Sequence, residues 1–154
     1  MGPRKVSDSM TIMTELVLPQ HTNTLGNLLG GQLMHWIDVC AGICAFRHAQ
    51  NVCVTAQVDS IDFHHPIKLG QIVTLKASIN RAFTSSMEIG VEVFADSYEE
   101  GERLHSNSAF ITFVSVDGEG KPRKVPQVIP ETPEEEKRYN EALGRREKRL
   151  QALK

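Results

Sequence analysis

Apolar positions recur along this chain in two rhythms, and the change from one to the other sets out the fold. Over residues 26–48 (GNLLGGQLMHWIDVCAGICAFRH) the period is 3.6, which predicts one long helix entered through Asn27, Gly30 and Gly31. Leu29, Leu33, Trp36, Cys40, Ile43 and Cys44 share a broad face. Gly31, Met34, Ala41, Gly42 and Ala45 collect on the opposite face, most of them small. A helix apolar on nearly every side is expected to be buried inside a domain. One carboxylate, Asp38, stands in the middle of the small face. Burying a lone carboxylate costs free energy, so something at that place must use it.

Elsewhere the period is two. Residues 10–18 read as a first strand closed by Pro19, and residues 20–26 as a polar loop. Residues 52–63 alternate with Val54, Ala56 and Val58 on one face. The phase then moves to Ile61 and Phe63, which predicts a bulge near Asp59 and Ser60. Pro66 and Gly70 bound a turn. Residues 71–82 point Val73, Leu75, Ala77 and Ile79 to one side, and residues 87–95 do the same with Ile89, Val91 and Val93. A polar turn at 83–86 joins them, and YEEGERL leads into a long strand at 104–116, apolar on both faces as a central strand would be. The tail from Glu131 reads as a helix with Thr132 as cap, Pro133 in the first position and Glu135 completing a capping box. Its thin stripe of Tyr139, Leu143, Leu150 and Leu153 predicts a solvated helix lying on the domain or on a neighbour. The layout is α+β: an antiparallel sheet around one central helix. Residues 1–9 form a flexible terminus, 10–126 the domain and 127–154 an extension with a helix. Such a sheet keeps an open edge, which invites pairing with a second copy.

Composition narrows the function classes. At 154 residues, 40% hydrophobic and 23% charged, the chain suits one soluble globular domain. A net charge of -2 gives no global attraction to nucleic acid or anionic membrane, so an anionic ligand must be held by local cations. No leader or membrane span is evident, and the three cysteines are too few and too odd for a disulfide framework. A cytoplasmic location is expected. Cys40 and Cys44, one helical turn apart, read as packing, because no further ligands stand at metal-site spacing. The adjacent pair His64 and His65 points to opposite faces of a strand end and reads as structural or pocket-lining.

With this layout, four segments carry a resemblance: GNLLGGQLMHWIDVCAG, VTAQVDSIDFHHPI, TSSMEIGVEVF and SAFITFVSVDGEGKPRKVPQVIPETPEEEKRY. Together they resemble the hot-dog acyl-CoA thioesterases, the family of the bacterial and brain-type acyl-CoA hydrolases. The resemblance implies hydrolysis of a fatty acyl-CoA to free acid and coenzyme A. It implies a double-hot-dog dimer, usually a trimer of dimers, with no cofactor and no metal. It places the catalytic acid at Asp38 and the catalytic asparagine at Asn27. It places the nucleotide near Thr84, Ser85 and Ser86, with Arg81, or Arg123 and Lys124, as cations for its phosphates. Leu29 departs from the His or Phe that many relatives carry before the paired glycines.

The chemistry fits those residue types. A thioester needs a base or nucleophile, which Asp38 can be, and a donor for the developing oxyanion. Free N–H groups at Gly30 and Gly31 would supply the donor, with the Asn27 amide orienting the thioester or the water. On one helix, Asn27 and Asp38 would lie roughly 16 Å apart. Both can act only if Asp38 of one subunit faces Asn27 and Gly31 of another, so the monomer is expected to be inactive. Asp38 as a structural acid and Asn27 as a plain helix cap are the competing readings. The competing functions are a non-catalytic acyl-CoA-binding domain and a hot-dog hydratase or dehydratase. The latter would rest on His35, which is expected to lie off the Asp38 face.

Overall fold

The computed structural model describes residues 2–59, 61, 65–97 and 101–153, without the side chains of residues 102, 105 and 106. Its elements are β1 (Arg4–Lys5), β2 (Thr11–Leu16), α1 (Gly30–Ala49), β3 (Cys53–Val58), β4 (Ile72–Ala82), β5 (Ser86–Ser97), β6 (Glu102–Ser115), β7 (Val128–Ile129) and α2 (Pro133–Ala152). Five strands make one antiparallel sheet in the order β2-β4-β5-β6-β3. The sheet curls around α1 with α2 on its outer face, the hot-dog arrangement expected. The alternation explains the register. Val73, Leu75, Ala77 and Ile79 of β4 and Met87, Ile89, Val91 and Val93 of β5 all face α1 and are buried. From α1 they meet Leu33, Trp36, Ile37, Cys40, Cys44 and Ala45. Burial pushes the Cys40 thiol up to about 11 and Cys44 up to about 12, so both stay protonated and pack as small apolar groups.

Four expectations need correction. First, α1 begins at Gly30, not near Gly26. Residues 23–28 are folded into a tight turn instead. The Asn23 side-chain oxygen accepts the N–H groups of Leu25 (2.9 Å) and Asn27 (3.1 Å), and the Leu28 N–H donates to the Ile67 carbonyl. Gly26 sits at φ 76°, where a side chain is disfavoured. Those N–H groups cannot also serve a helix, so Leu29 is the cap, without a side-chain bond, and Asn27 is not.

Second, α1 is not buried all round. One sheet covers one side of it, and Met34 (43% exposed), Val39, Ile43 and Phe46 (54%) face outward.

Third, the bulge in β3 lies between Thr55 and Gln57, at Ala56, rather than near Asp59. Val54 and Val58 therefore fall on opposite faces, and Thr55 and Val58 face α1. Ser60 and Phe63 lie outside the described residues, as do residues 98–100 of the YEEGERL turn.

Fourth, residues 4–9 are tied down: β1 pairs in parallel with β7, and Val6 and Ser9 are buried.

The α2 cap forms as its sequence requires, with the Thr132 hydroxyl accepting the Glu135 N–H at 3.1 Å. Its docking differs from the expected leucine stripe. Leu143, Leu150 and Leu153 are exposed, while Ala142 and the half-buried Tyr139 face the sheet. Arginines do most of the contacting. Arg145 binds the fully buried Glu88 of β5 through Nε and Nη2, the latter at 2.6 Å. Its guanidinium also lies 3.7 Å over the Phe110 ring. Asn80 of β4 donates to the same carboxylate at 2.9 Å. Burial alone would raise the Glu88 carboxyl, but bonds from Arg145 and Asn80 and the charge of Arg149 hold it below the usual range.

Two predictions follow from these buried polar groups. A Cβ added at Gly90 would stand 2.9 Å from the Asn80 amide nitrogen, which is committed to Glu88. Gly90→Ala should therefore cost about 1–2 kcal/mol in urea unfolding, and much less on an Asn80→Ala background, because the two changes remove one bond.

His48 is fully buried at the end of α1, with Nε2 2.7 Å from the Pro126 carbonyl and no partner for Nδ1 among the described residues. Burial lowers its pKa below 6.5. The folded state thus binds this proton less readily than the unfolded chain. Stability should be level above about pH 7 and should fall as pH drops through about 6.5 and below. His48→Gln keeps a donor for Pro126 and should flatten that part of the pH profile.

Candidate active site

Asp38 projects from the middle of α1 on the side where the sheet ends. It is half-buried, and the Thr55 hydroxyl of β3 donates to its Oδ1 at 2.7 Å. No cation pairs with it among the described residues. The carboxylate opens on a cavity of about 330 Å³ lined by Gly31, Met34, Ile37, Val58, Ile61 and Ile111, with His35 at its wall. A carboxylate held by one neutral hydroxyl, with apolar groups around it, retains lone pairs for a water or a substrate. Thr55 was not singled out in the sequence. The alternation reads it on the face opposite Val54, Ala56 and Val58, and only its pairing with the buried Phe113 shows that its own face is the inward one. His35 also departs from expectation, because it shares the cavity with Asp38.

The glycines at the start of α1 divide between two cavities. Gly31 lines the Asp38 cavity, whereas Gly30 lines a second one of about 380 Å³ with Asn23, Asn27, Leu33, His65 and Ile67. His64 lies outside the described residues. Asn27 is held by its backbone, opposite Lys68, and lines this second cavity. Asn23 also lines it. Because the Asn23 oxygen is taken by two backbone N–H groups, its NH2 is the end left to donate. From Gly30 to Asp38 the helix rises about 12 Å, so one carbonyl cannot touch both. The helix end carries no acidic residue in its first turn and no side-chain cap. Its first N–H groups are therefore available to an anion.

The residues expected to hold a nucleotide gather in part. Thr84 and Ser85 lie in the β4–β5 turn and Ser86 opens β5, and the Ser85 and Thr84 carbonyls accept the N–H groups of Ser115 and Val125. Arg123 reaches Asn51 at 3.3 Å beside them, and Lys124 is exposed. Arg81 does not join this group. Its guanidinium lies 3.9 Å over the Tyr139 ring and donates to the Tyr139 carbonyl, so it anchors α2. Among the described residues, no three His, Cys, Asp or Glu side chains converge as a metal site would need.

Comparison with known proteins agrees with this geometry. The model of the "Thioesterase superfamily" matches residues 25–102. The chain is 41% identical over 146 residues to the uncharacterized acyl-CoA thioester hydrolase YkhA of Bacillus subtilis, covering 95% of this chain and 85% of that one. It is 46% identical over 138 residues to mouse acyl-coenzyme A thioesterase 11, covering 90% of this chain but only 23% of that much longer protein. Among solved structures, the Staphylococcus aureus acyl-CoA hydrolase in complex with butyryl coenzyme A and coenzyme A superposes with a TM-score of 0.91. It is 39% identical, with 97% and 92% of the two chains covered. That hydrolase has also been solved with single alanines in place of an aspartate, an asparagine and a threonine. An apo hexameric acyl-CoA thioesterase superposes with a TM-score of 0.95 at 38% identity, covering 99% and 98%. The chain belongs to the thioesterase superfamily, and its relatives there are acyl-CoA hydrolases of the hot-dog fold.

Proposed function

We propose that the protein hydrolyses a fatty acyl-CoA thioester, with Asp38 as general base. The observation that carries this reading is the Asp38–Thr55 pair, a carboxylate with no counter-ion among the described residues, opening on an apolar cavity. Asp38 takes a proton from water, the water oxygen bonds to the acyl carbon, the C–S bond breaks, and the coenzyme A thiolate leaves and is protonated. Direct attack by Asp38 on the acyl carbon is the less favoured course, because the Thr55 bond suits an acceptor held in place. Coenzyme A enters as part of the substrate, and the reading requires neither cofactor nor metal.

The oxyanion donors come from a second subunit in this reading. The outward face of α1 and the open edge of β3 present Met34, Phe46, Val52 and Val54 to solvent in one chain. Pairing two copies there, with their α1 helices antiparallel, would bring the Gly30–Gly31 end of one to Asp38 of the other. A hexameric relative supports an oligomer. The asparagine needs revision. In the Staphylococcus hydrolase the asparagine replaced by alanine lies fifteen positions before the replaced aspartate, and the threonine seventeen after it. Asn23, Asp38 and Thr55 have those spacings, and Asn27 does not. We therefore assign the polarising amide to Asn23 and a backbone-bracing role to Asn27. Thr84, Ser85 and Ser86 with Arg123 and Lys124 remain the proposed nucleotide contacts, without Arg81. The compartment proposed is the cytoplasm; among the described residues no helix is long and apolar enough to cross a membrane.

His35 in the Asp38 cavity gives the hydratase reading one observation of its own. Hydration of an enoyl-CoA without thiol release, abolished by His35→Ala, would favour it.

The hydrolase reading is tested by thiol release. Asp38→Asn should lower kcat by about 10²–10⁴, and Thr55→Val by about tenfold, the loss of one hydrogen bond. Mixed Asp38→Asn and Asn23→Ala subunits, once exchanged, should recover activity that neither variant has alone. No recovery in demonstrated heterodimers would rule out sites shared between subunits.

A further inference from the structure

β3 is the edge of the sheet, held by a ladder to β6 alone among the described strands. Its inward residues build the acid site, since Thr55 bonds Asp38 and Val58 lines the cavity with Ile61 just beyond. The residue between Val58 and the undescribed Ser60 is Asp59, and it faces the other way. Its carboxylate meets Nη1 of Arg149 at 3.0 Å on the outer side of the sheet, where α2 lies. The same Nη1 is 3.3 Å from the buried Glu88 of β5. Arg149 is only 13% exposed. The Asp59 N–H keeps its bond to the Phe110 carbonyl at 2.9 Å, so the backbone there is paired. One guanidinium thus ties the end of the edge strand to β5, across β6, from the face opposite the acid.

We propose that Arg149 is a positioning residue for the acid site. By holding Asp59 against Glu88 it sets the tilt of the end of β3, and with it the places of Thr55, Val58 and Ile61 around Asp38. The inference rests on the assignment of Asp38 above. A pair charged on both sides and mostly withdrawn from water is screened little, so it holds geometry better than an exposed one. α2 supplies its own control. Arg138 makes a more exposed ion pair with Glu92 at 3.1 Å, and Glu92 lies opposite Ser108, beyond the part of β6 that pairs with β3.

The test compares Arg149→Gln, Arg149→Lys, Asp59→Asn and Arg138→Gln in the full-length protein. It measures thiol release from butyryl-CoA, thermal stability, and backbone hydrogen exchange over residues 53–59. Arg149→Gln and Asp59→Asn should each lower kcat at least tenfold with KM within threefold, and should speed exchange in β3. Arg149→Lys should restore kcat to within threefold of wild type. Arg138→Gln should leave kcat within twofold even where its Tm falls as far. Equal kcat losses for Arg149→Gln and Arg138→Gln at matched Tm, or unchanged exchange in β3, would overturn the proposal. Full turnover by Asp38→Asn would instead overturn the acid assignment. The exchange measurement would still decide whether Arg149 orders β3.

Discussion

A single curled sheet can cover only one side of a helix, and the rest of this structure depends on that limit. α1 has apolar residues around most of its circumference, but β2 to β6 satisfy only the face of Leu33, Ile37, Cys40 and Cys44. The opposite face remains apolar and uncovered, and Asp38 stands at the boundary between the two. A carboxylate there is neither buried at full cost nor free in water. Thr55 supplies one donor, and the remaining lone pairs look into a cavity. The same limit leaves the β3 edge beside that cavity. The chemistry and the surface for a second copy thus arise from one geometric shortfall.

Much of this was legible in the sequence, and the failures have physical causes. The strands of the sheet were readable because strict alternation leaves few alternatives once one face is apolar. The start of α1 was not, because Asn23 offers its backbone neighbours a competing set of hydrogen bonds that periodicity does not register. Asn27 was consequently placed on a helix it does not belong to. In β3 a single extra residue, Ala56, reversed the facing of everything after it. His35 could have been placed correctly, since residues three apart on a helix are neighbours. Thr55 could not have been tied to Asp38 without knowing which strand lies beside α1.

The C-terminal helix shows a different limit of pattern reading. Its few leucines suggested a thin apolar stripe on a solvated helix. In the fold, Arg145 and Arg149 turn inward to neutralise Glu88, a carboxylate whose strand position otherwise alternates correctly as outward-facing. Hydropathy counts such a side chain as polar and assigns it to water. The aliphatic stem and flat guanidinium of arginine instead let it cover Phe110, Phe83 or Tyr139 while its N–H groups keep hydrogen-bond partners.

That mode of attachment gives the two faces of the sheet different thermal characters. The α1 side is cemented by apolar burial, which weakens on cooling. The α2 side relies on ion pairs, whose dehydration cost shrinks as temperature rises. Warming therefore shifts the share of cohesion from the inner layer to the outer one, and chilling shifts it back.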